Sequence, residues 1–353
     1  MLNMMKELRI GNKIAKIPVI QGGMGVGVSR SKLAGAVAAE GGVGIISTAQ
    51  IGYDEEGFET DQKACNLKAI EKHVRLAKEQ ANGGLAGVNV MVALKDYKEH
   101  VRAAVLAGAD VVISGAGLPV SLPELVEGSD TKIAPIVSSE KAVRIILKLW
   151  ARNYKRTADF IVIEGPDAGG HLGFSSEALL HREELNYDAE IKKIIQTVRE
   201  YEEKFDQKIP VIVAGGICFG KDVMHALELG ADGIQVASKF VATKECDADD
   251  AYKEAYIAAQ ESDVEIIESP VGMPGRALRN DFLEQIKQKR LKIRKCYGCL
   301  EKCNPAKIPY CITDALIRAV KGDVKNGLVF CGADVGNIKK ISTVHDVMQE
   351  LMV

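Results

Sequence analysis

Residues 163–173 read IEGPDAGGHLG: an apolar run ends on an acid, Glu164, and two glycines then deliver one histidine, His171. An imidazole titrating near pH 6.5 can take or give a proton at neutral pH, which makes His171 the foremost candidate base. Gly170 beside it lets the backbone pass close to a bound group. Two further stretches suit an anion. PVIVAGGI carries Gly215 and Gly216 at the end of an apolar run, and GIQVASKFVAT carries Ala237 and Ser238 at the end of the next. Small residues there expose backbone N–H groups to a phosphate. The tail RKCYGCLEKCNPAKIPYC spaces Cys296, Cys299, Cys303 and Cys311 as C-x2-C-x3-C-x7-C. Thiols at that density suit a [4Fe–4S] cluster or a zinc ion. Two glycine-rich stretches are set aside. GGICFGKD has the spacing of a P-loop, but Asp222 stands where a hydroxyl must hold magnesium, and GGMGVGVSR has no G-x-G-x-x-G register.

The elements that must position these groups are legible as a repeat. Apolar runs at 18–21, 43–47, 87–92, 110–114, 133–138, 160–163, 210–214 and 233–237 alternate with stretches of helical period. In KDYKEHVRAAVLAGA, for example, Tyr97, Val101, Ala104 and Val105 share one helix face. LAGAD, KRTAD and LELGAD each close a helix and lead straight into a strand. Eight such units predict an α/β fold, a (β/α)8 TIM barrel. Barrels of this kind do their chemistry at the C-terminal ends of the strands and bind phosphate after strands seven and eight, where the glycine pairs lie. Residues 172–187 read as a polar loop after strand six. Past strand eight come a helix near 248–261, a loop SPVGMPGRALRN, a charged helix reaching residue 294, and the cysteine-rich tail. The expected organisation is a barrel with its lid segment over 8–285 and a C-terminal helical, cysteine-rich extension over 286–353.

The chain has 353 residues, 47% hydrophobic and 27% charged, with a net charge of −2, the composition of a globular protein with a large core. That charge offers no basic field, so no nucleic-acid partner is expected. No apolar run approaches the roughly 18 residues needed to span a bilayer, and the first residues lack a signal-peptide core. The expectation is a cytoplasmic protein with reduced thiols and no membrane partner.

PVIQGGMGVGVS, GVNVMV, VIEGPDAGGHLG, PVIVAGGI and GIQVASKFVAT, in this order, resemble the nitronate monooxygenase family. That family was formerly called 2-nitropropane dioxygenase and includes the related enoyl-acyl-carrier-protein reductase II enzymes. The resemblance implies an FMN-dependent barrel with Gly22, Gly23 and Met24 against the isoalloxazine. It places Asn89 and Glu164 near the ring and ribityl chain, Gly170 close by, the phosphate on Gly215, Gly216, Ala237 and Ser238, and His171 beside the flavin. The implied reaction is oxidation of an alkyl nitronate to a carbonyl compound and nitrite. PIVSSEKA departs from some members, which carry a lysine there; its Ser138, taken as cofactor-binding, is more like the enoyl reductase branch. An NAD(P)H-dependent enoyl-thioester reductase is therefore the alternative. A non-catalytic flavin and iron–sulfur module, fed by a ferredoxin-like donor, is a third reading that the Gly-Gly-His loop disfavours.

Overall fold

The computed structural model describes residues 6–353. Eight parallel strands close into a barrel: β1 (Val19–Gln21), β2 (Val43–Ser47), β3 (Leu85–Met91), β4 (Val111–Gly115), β5 (Lys132–Val137), β6 (Ile161–Glu164), β7 (Val211–Ala214) and β8 (Gly233–Val236). Each pairs with its neighbour in the chain, and β8 pairs with β1. These are the eight expected runs.

Side chains alternate across each strand, so one apolar run serves two cores. Ile20, Ile45, Ile113, Val162 and Ile212 fill the barrel interior, and Val19, Ile46, Val112, Ile161 and Val211 pack outward under the helices. Each such fully buried side chain stabilises the fold by about 1.5–3 kcal/mol. An N-terminal hairpin, Leu8–Ile10 with Lys13–Ala15, adds Leu8, Ile10 and Ala15 to the interior cluster.

The repeated helix-to-strand punctuation has a physical basis. Gly108 and Gly230 sit at positive φ just past their helices, and Lys155 takes the same left-handed conformation as a C-cap. The acid that follows then grips the adjacent strand. Asp110, Asp159 and Asp232 accept from the N–H groups of Ala86 (3.0 Å), Ile133 (2.8 Å) and Val211 (2.9 Å), which sets the register between strands.

Past β8 the chain departs from the expected reading. SPVGMPGRALRN is not a loop throughout: Pro274–Leu278 is a strand, paired antiparallel with Val264–Glu268 on one side and with Gly170–His171 on the other. The polar stretch 172–187 contains a short helix, Ser176–Leu180. The charged helix, Asp281–Gln288, stops before residue 294, and the expected division at 285/286 falls inside it. The last helix, Val344–Leu351, returns to the barrel and packs against helices Ser31–Ala39 and Gly220–Glu228. Among the described residues no helix is long and apolar enough to cross a membrane.

Candidate active site

A cavity of about 400 Å³ opens at the C-terminal ends of the strands. Every residue singled out for the flavin lines it. Gly22, Gly23 and Met24 follow β1; Asn89 is on β3; Ser138 follows β5; Glu164 ends β6 and Gly170 lies on the short strand Gly170–His171 beyond it; Gly215 and Gly216 follow β7; Ala237 and Ser238 follow β8. His171 lines it as well.

His171 is held by strand pairing opposite Gly275, so its backbone belongs to the three-stranded sheet over the barrel mouth rather than to the barrel itself. Its Nε2 lies 2.8 Å from the Ser269 hydroxyl, and its ring meets Phe330 edge-on at 5.0 Å. The ring is partly exposed, but it lines the cavity, and burial holds the imidazole down to about 4. It is therefore neutral at pH 7 and able to accept a proton. Glu164 carries a carboxyl with no hydrogen-bond or ion-pair partner among the described residues; burial pushes it up to about 8, so it is protonated at neutral pH. Tyr187 donates to the Glu164 backbone carbonyl at 2.9 Å and fixes the end of β6.

The nitronate monooxygenase family model matches residues 7–353. The chain belongs to the nitronate monooxygenase family. It is accordingly an FMN-dependent oxidoreductase. A probable nitronate monooxygenase of Staphylococcus saprophyticus is 26% identical over 296 residues, covering 77% of this chain and 78% of that protein. A Mycobacterium tuberculosis protein, (3aS,4S,5R,7aS)-5-hydroxy-7a-methyl-1-oxo-octahydro-1H-indene-4-carboxyl-CoA dehydrogenase, is 26% identical over 269 residues, covering 76% of this chain and 65% of its own. Among solved structures, FabK from Thermotoga maritima superposes with a TM-score of 0.71 at 25% identity, covering 95% of this chain and 91% of that one. The nitroalkane oxidase from Streptomyces ansochromogenes shares the fold, with a TM-score of 0.71 at 19% identity over 95% of this chain and 94% of its own.

The cavity suits the cofactor of the nitronate monooxygenase family on its own geometry. A flat ring needs a wall of small residues, and Gly22, Gly23, Gly25 and Ala49 line the cavity; a Cβ on Gly23 would stand 2.4 Å from that of Asn89, so this glycine lets the end of β1 close on β3. Gly170, at φ +72°, has nothing within 4 Å of its Cβ position and leaves open space before the histidine. The ring's polar edge needs amides, and Gln235 presents a buried Oε1 with no partner. A phosphate needs donors. Gly215 and Gly216, both at positive φ, have N–H groups without a partner among the described residues, and the Ser238 hydroxyl lines the cavity beside them.

Sequence reasoning missed part of the site. Gln235 is a polar residue in the middle of the apolar strand GIQVA, a signal that was there to be used. Phe330, Cys331, Gly332 and Asp334 line the cavity from the tail, which folds back over the mouth. That contact changes the account of the glycine pair. A Cβ on Gly169 would stand 2.6 Å from the Cys331 backbone, so Gly169 is required by the tail, whereas Gly170 faces the cavity. Arg276, fully buried, donates through Nη1 to the Ala168 carbonyl and braces the same loop.

All eight cysteines are free thiols. Cys296, Cys299, Cys303 and Cys311 do come together, around a second cavity of about 270 Å³. They do not take the spacing of a single-ion site. Among the described residues, the one trio of His, Cys, Asp or Glu ligand atoms within 4.8 Å of one another is the exposed His181, Glu183 and Glu184. Zinc–sulfur bonds of about 2.3 Å would draw tetrahedral thiolates to within about 3.8 Å of each other. A zinc ion would need these thiols to draw closer together than they stand here.

Proposed function

We propose that this oxidoreductase converts alkyl nitronates to a carbonyl compound and nitrite. The reading rests on His171, a neutral imidazole on the cavity wall whose reactive nitrogen is engaged only by a hydroxyl. In this reading Gly22, Gly23 and Met24 flank the isoalloxazine, with Asn89, Ser138 and Gln235 at its polar edge. Glu164 and Gly170 lie toward the ring and ribityl chain, and Gly215, Gly216, Ala237 and Ser238 bind the phosphate. FMN, when bound, supplies the electron exchange. His171 takes the proton from the carbon beside a neutral nitro group and, protonated by that step, holds the resulting nitronate oxygens by charge and hydrogen bond. Ser269 keeps the ring oriented toward the cavity. Glu164, protonated, donates a hydrogen bond that an ionised carboxylate could not.

A second reading, NAD(P)H-dependent reduction of an enoyl thioester, is favoured by one observation. The end of β5 carries the Ser138 hydroxyl and no ammonium. One experiment separates the two. The FMN-loaded enzyme is mixed anaerobically with NADH or NADPH, then offered crotonyl thioester; in parallel it is given a nitronate with oxygen. Nitrite release with an unreduced flavin in the nicotinamide arm is the expected result. Rapid flavin reduction by a nicotinamide, with reoxidation by the thioester, overturns the nitronate reading in favour of the second.

A further inference from the structure

The tail thiols are chemistry that the barrel site does not use. Between residues 289 and 311 the chain has no helix and no strand, only turns and one isolated bridge. Irregular segments this long are uncommon in a compact fold unless something organises them. The backbone of this one pairs with the barrel over one short stretch, where Lys95 donates to the Cys299 carbonyl and Glu301 to the Ala93 carbonyl, both at 3.1 Å, flanking a bridge between Leu94 and Leu300; side chains add a Lys295–Glu59 ion pair and the stacking of Tyr297 on Phe58. Its own interior is a cavity rather than a core. Four cysteines line that cavity, and Leu300, Ile308 and Ile312 line it with them.

We propose that Cys296, Cys299, Cys303 and Cys311 ligate a [4Fe–4S] cluster in this cavity, one thiolate to each iron. Four thiolates on one ion must crowd together, whereas a cubane binds each at a different corner and holds them apart around a solid body. No three of the sulfurs here lie within 4.8 Å of one another, and the four cysteines ring about 270 Å³ of space, which suits the second arrangement. The local backbone is also shaped for it. Gly298, at φ +57° with open space at its Cβ position, turns its N–H onto the Cys296 sulfur at 3.4 Å, the kind of hydrogen bond that tunes cluster sulfur. Cys311 caps helix Ile312–Val320, whose N-terminus favours the net negative charge of a thiolate-bound cluster, and the Lys95 side chain lines the same wall.

The site adjoins the barrel mouth. Helix Ile312–Val320 carries Ile312 on the cluster cavity and Leu316 on the larger one, about 6 Å apart along its axis. Cys296 is exposed on the other side. The proposal does not depend on which substrate the barrel takes.

The full-length protein is purified without oxygen and assayed for iron, acid-labile sulfide and zinc, with electron paramagnetic resonance after dithionite reduction. About four iron and about four sulfide per chain, with a reduced-cluster signal, is the expected result. Cys299→Ser and Cys303→Ser should lose iron and signal while keeping FMN; Cys218→Ser and Cys246→Ser, which do not line this cavity, should keep iron and signal. Stoichiometric zinc without sulfide, about two iron and two sulfide, or neither metal after anaerobic reconstitution overturns the proposal. The wild-type measurements decide it even where a variant fails to fold.

Discussion

His171 and Glu164, both on the main cavity, have moved in opposite directions for the same reason. Burial disfavours charge, so His171 is neutral and Glu164 is protonated at pH 7. His171→Ala should bind FMN as the wild type does, by flavin absorbance, and lose about 10²–10⁴-fold in turnover, the usual worth of a positioned acid–base group. Retained turnover would remove the histidine from the mechanism. For Glu164 the test is pH. Ionisation above about 8 places an unpartnered charge in the cavity, so FMN affinity should weaken as pH rises through that value. Glu164→Gln, a permanently neutral analogue, should bind FMN with no such dependence in a fluorescence titration. A wild type and variant with the same pH profile would show that the carboxyl does not meet the cofactor.

At the scale of elements, the barrel strands were readable because each is a short Val/Ile run bounded by turn residues, and three of the eight registers are fixed by a nearby acid. The roof was not readable in the same way. Pro274 and Gly275 look like turn residues, yet they begin a strand whose partner, Gly170–His171, lies about a hundred positions earlier. Pairings of that range leave no local period in the sequence. Another long-range tie can be measured. Helix Ser31–Ala39 has no cap from its own N-terminal residue; the Asp247 carboxylate, from beyond β8, accepts from the N–H groups of Arg30 (2.8 Å) and Leu33 (3.1 Å) instead. Asp247→Ala should cost about 1–2 kcal/mol in urea unfolding, the range for a lost cap. A change below a few tenths would mean that water replaces it.

For the whole molecule, acid is the weak side. His73, His100 and His171 are each held down to about 4 by burial, below the value near 6.5 of an unfolded chain. Between those values the unfolded chain binds protons that the folded one refuses, so stability falls as pH falls from 6.5 toward 4. Glu164 opposes this: its folded value is raised, so the stability it contributes is full below its unfolded value and is lost as pH rises toward about 8. Asp247 and Asp334, also raised by burial, act in the same direction as Glu164, but the three histidines are displaced across the whole span and dominate it. The Tm of the cofactor-free protein should drop through that window, and His100→Gln, at a site where Nδ1 meets the Thr48 hydroxyl at 3.2 Å, should flatten the slope. A level Tm from pH 6.5 to 4 would contradict the account. The twelve flavin-site positions read from motifs all line one cavity because a barrel brings its strand ends together whatever their spacing in the chain. The tail's share of that cavity, Phe330 to Asp334, carried no motif to betray it.

The pairing of His171 with Gly275 has a mechanical consequence. Strand Pro274–Leu278 also binds Val264–Glu268 and touches Phe330 through an isolated bridge from Ala277, so roof, tail and histidine form one hydrogen-bonded piece. Raising that piece to admit a molecule would carry the imidazole away from the strand ends. Under the proposed role of His171, entry by that route and proton transfer would exclude each other in time.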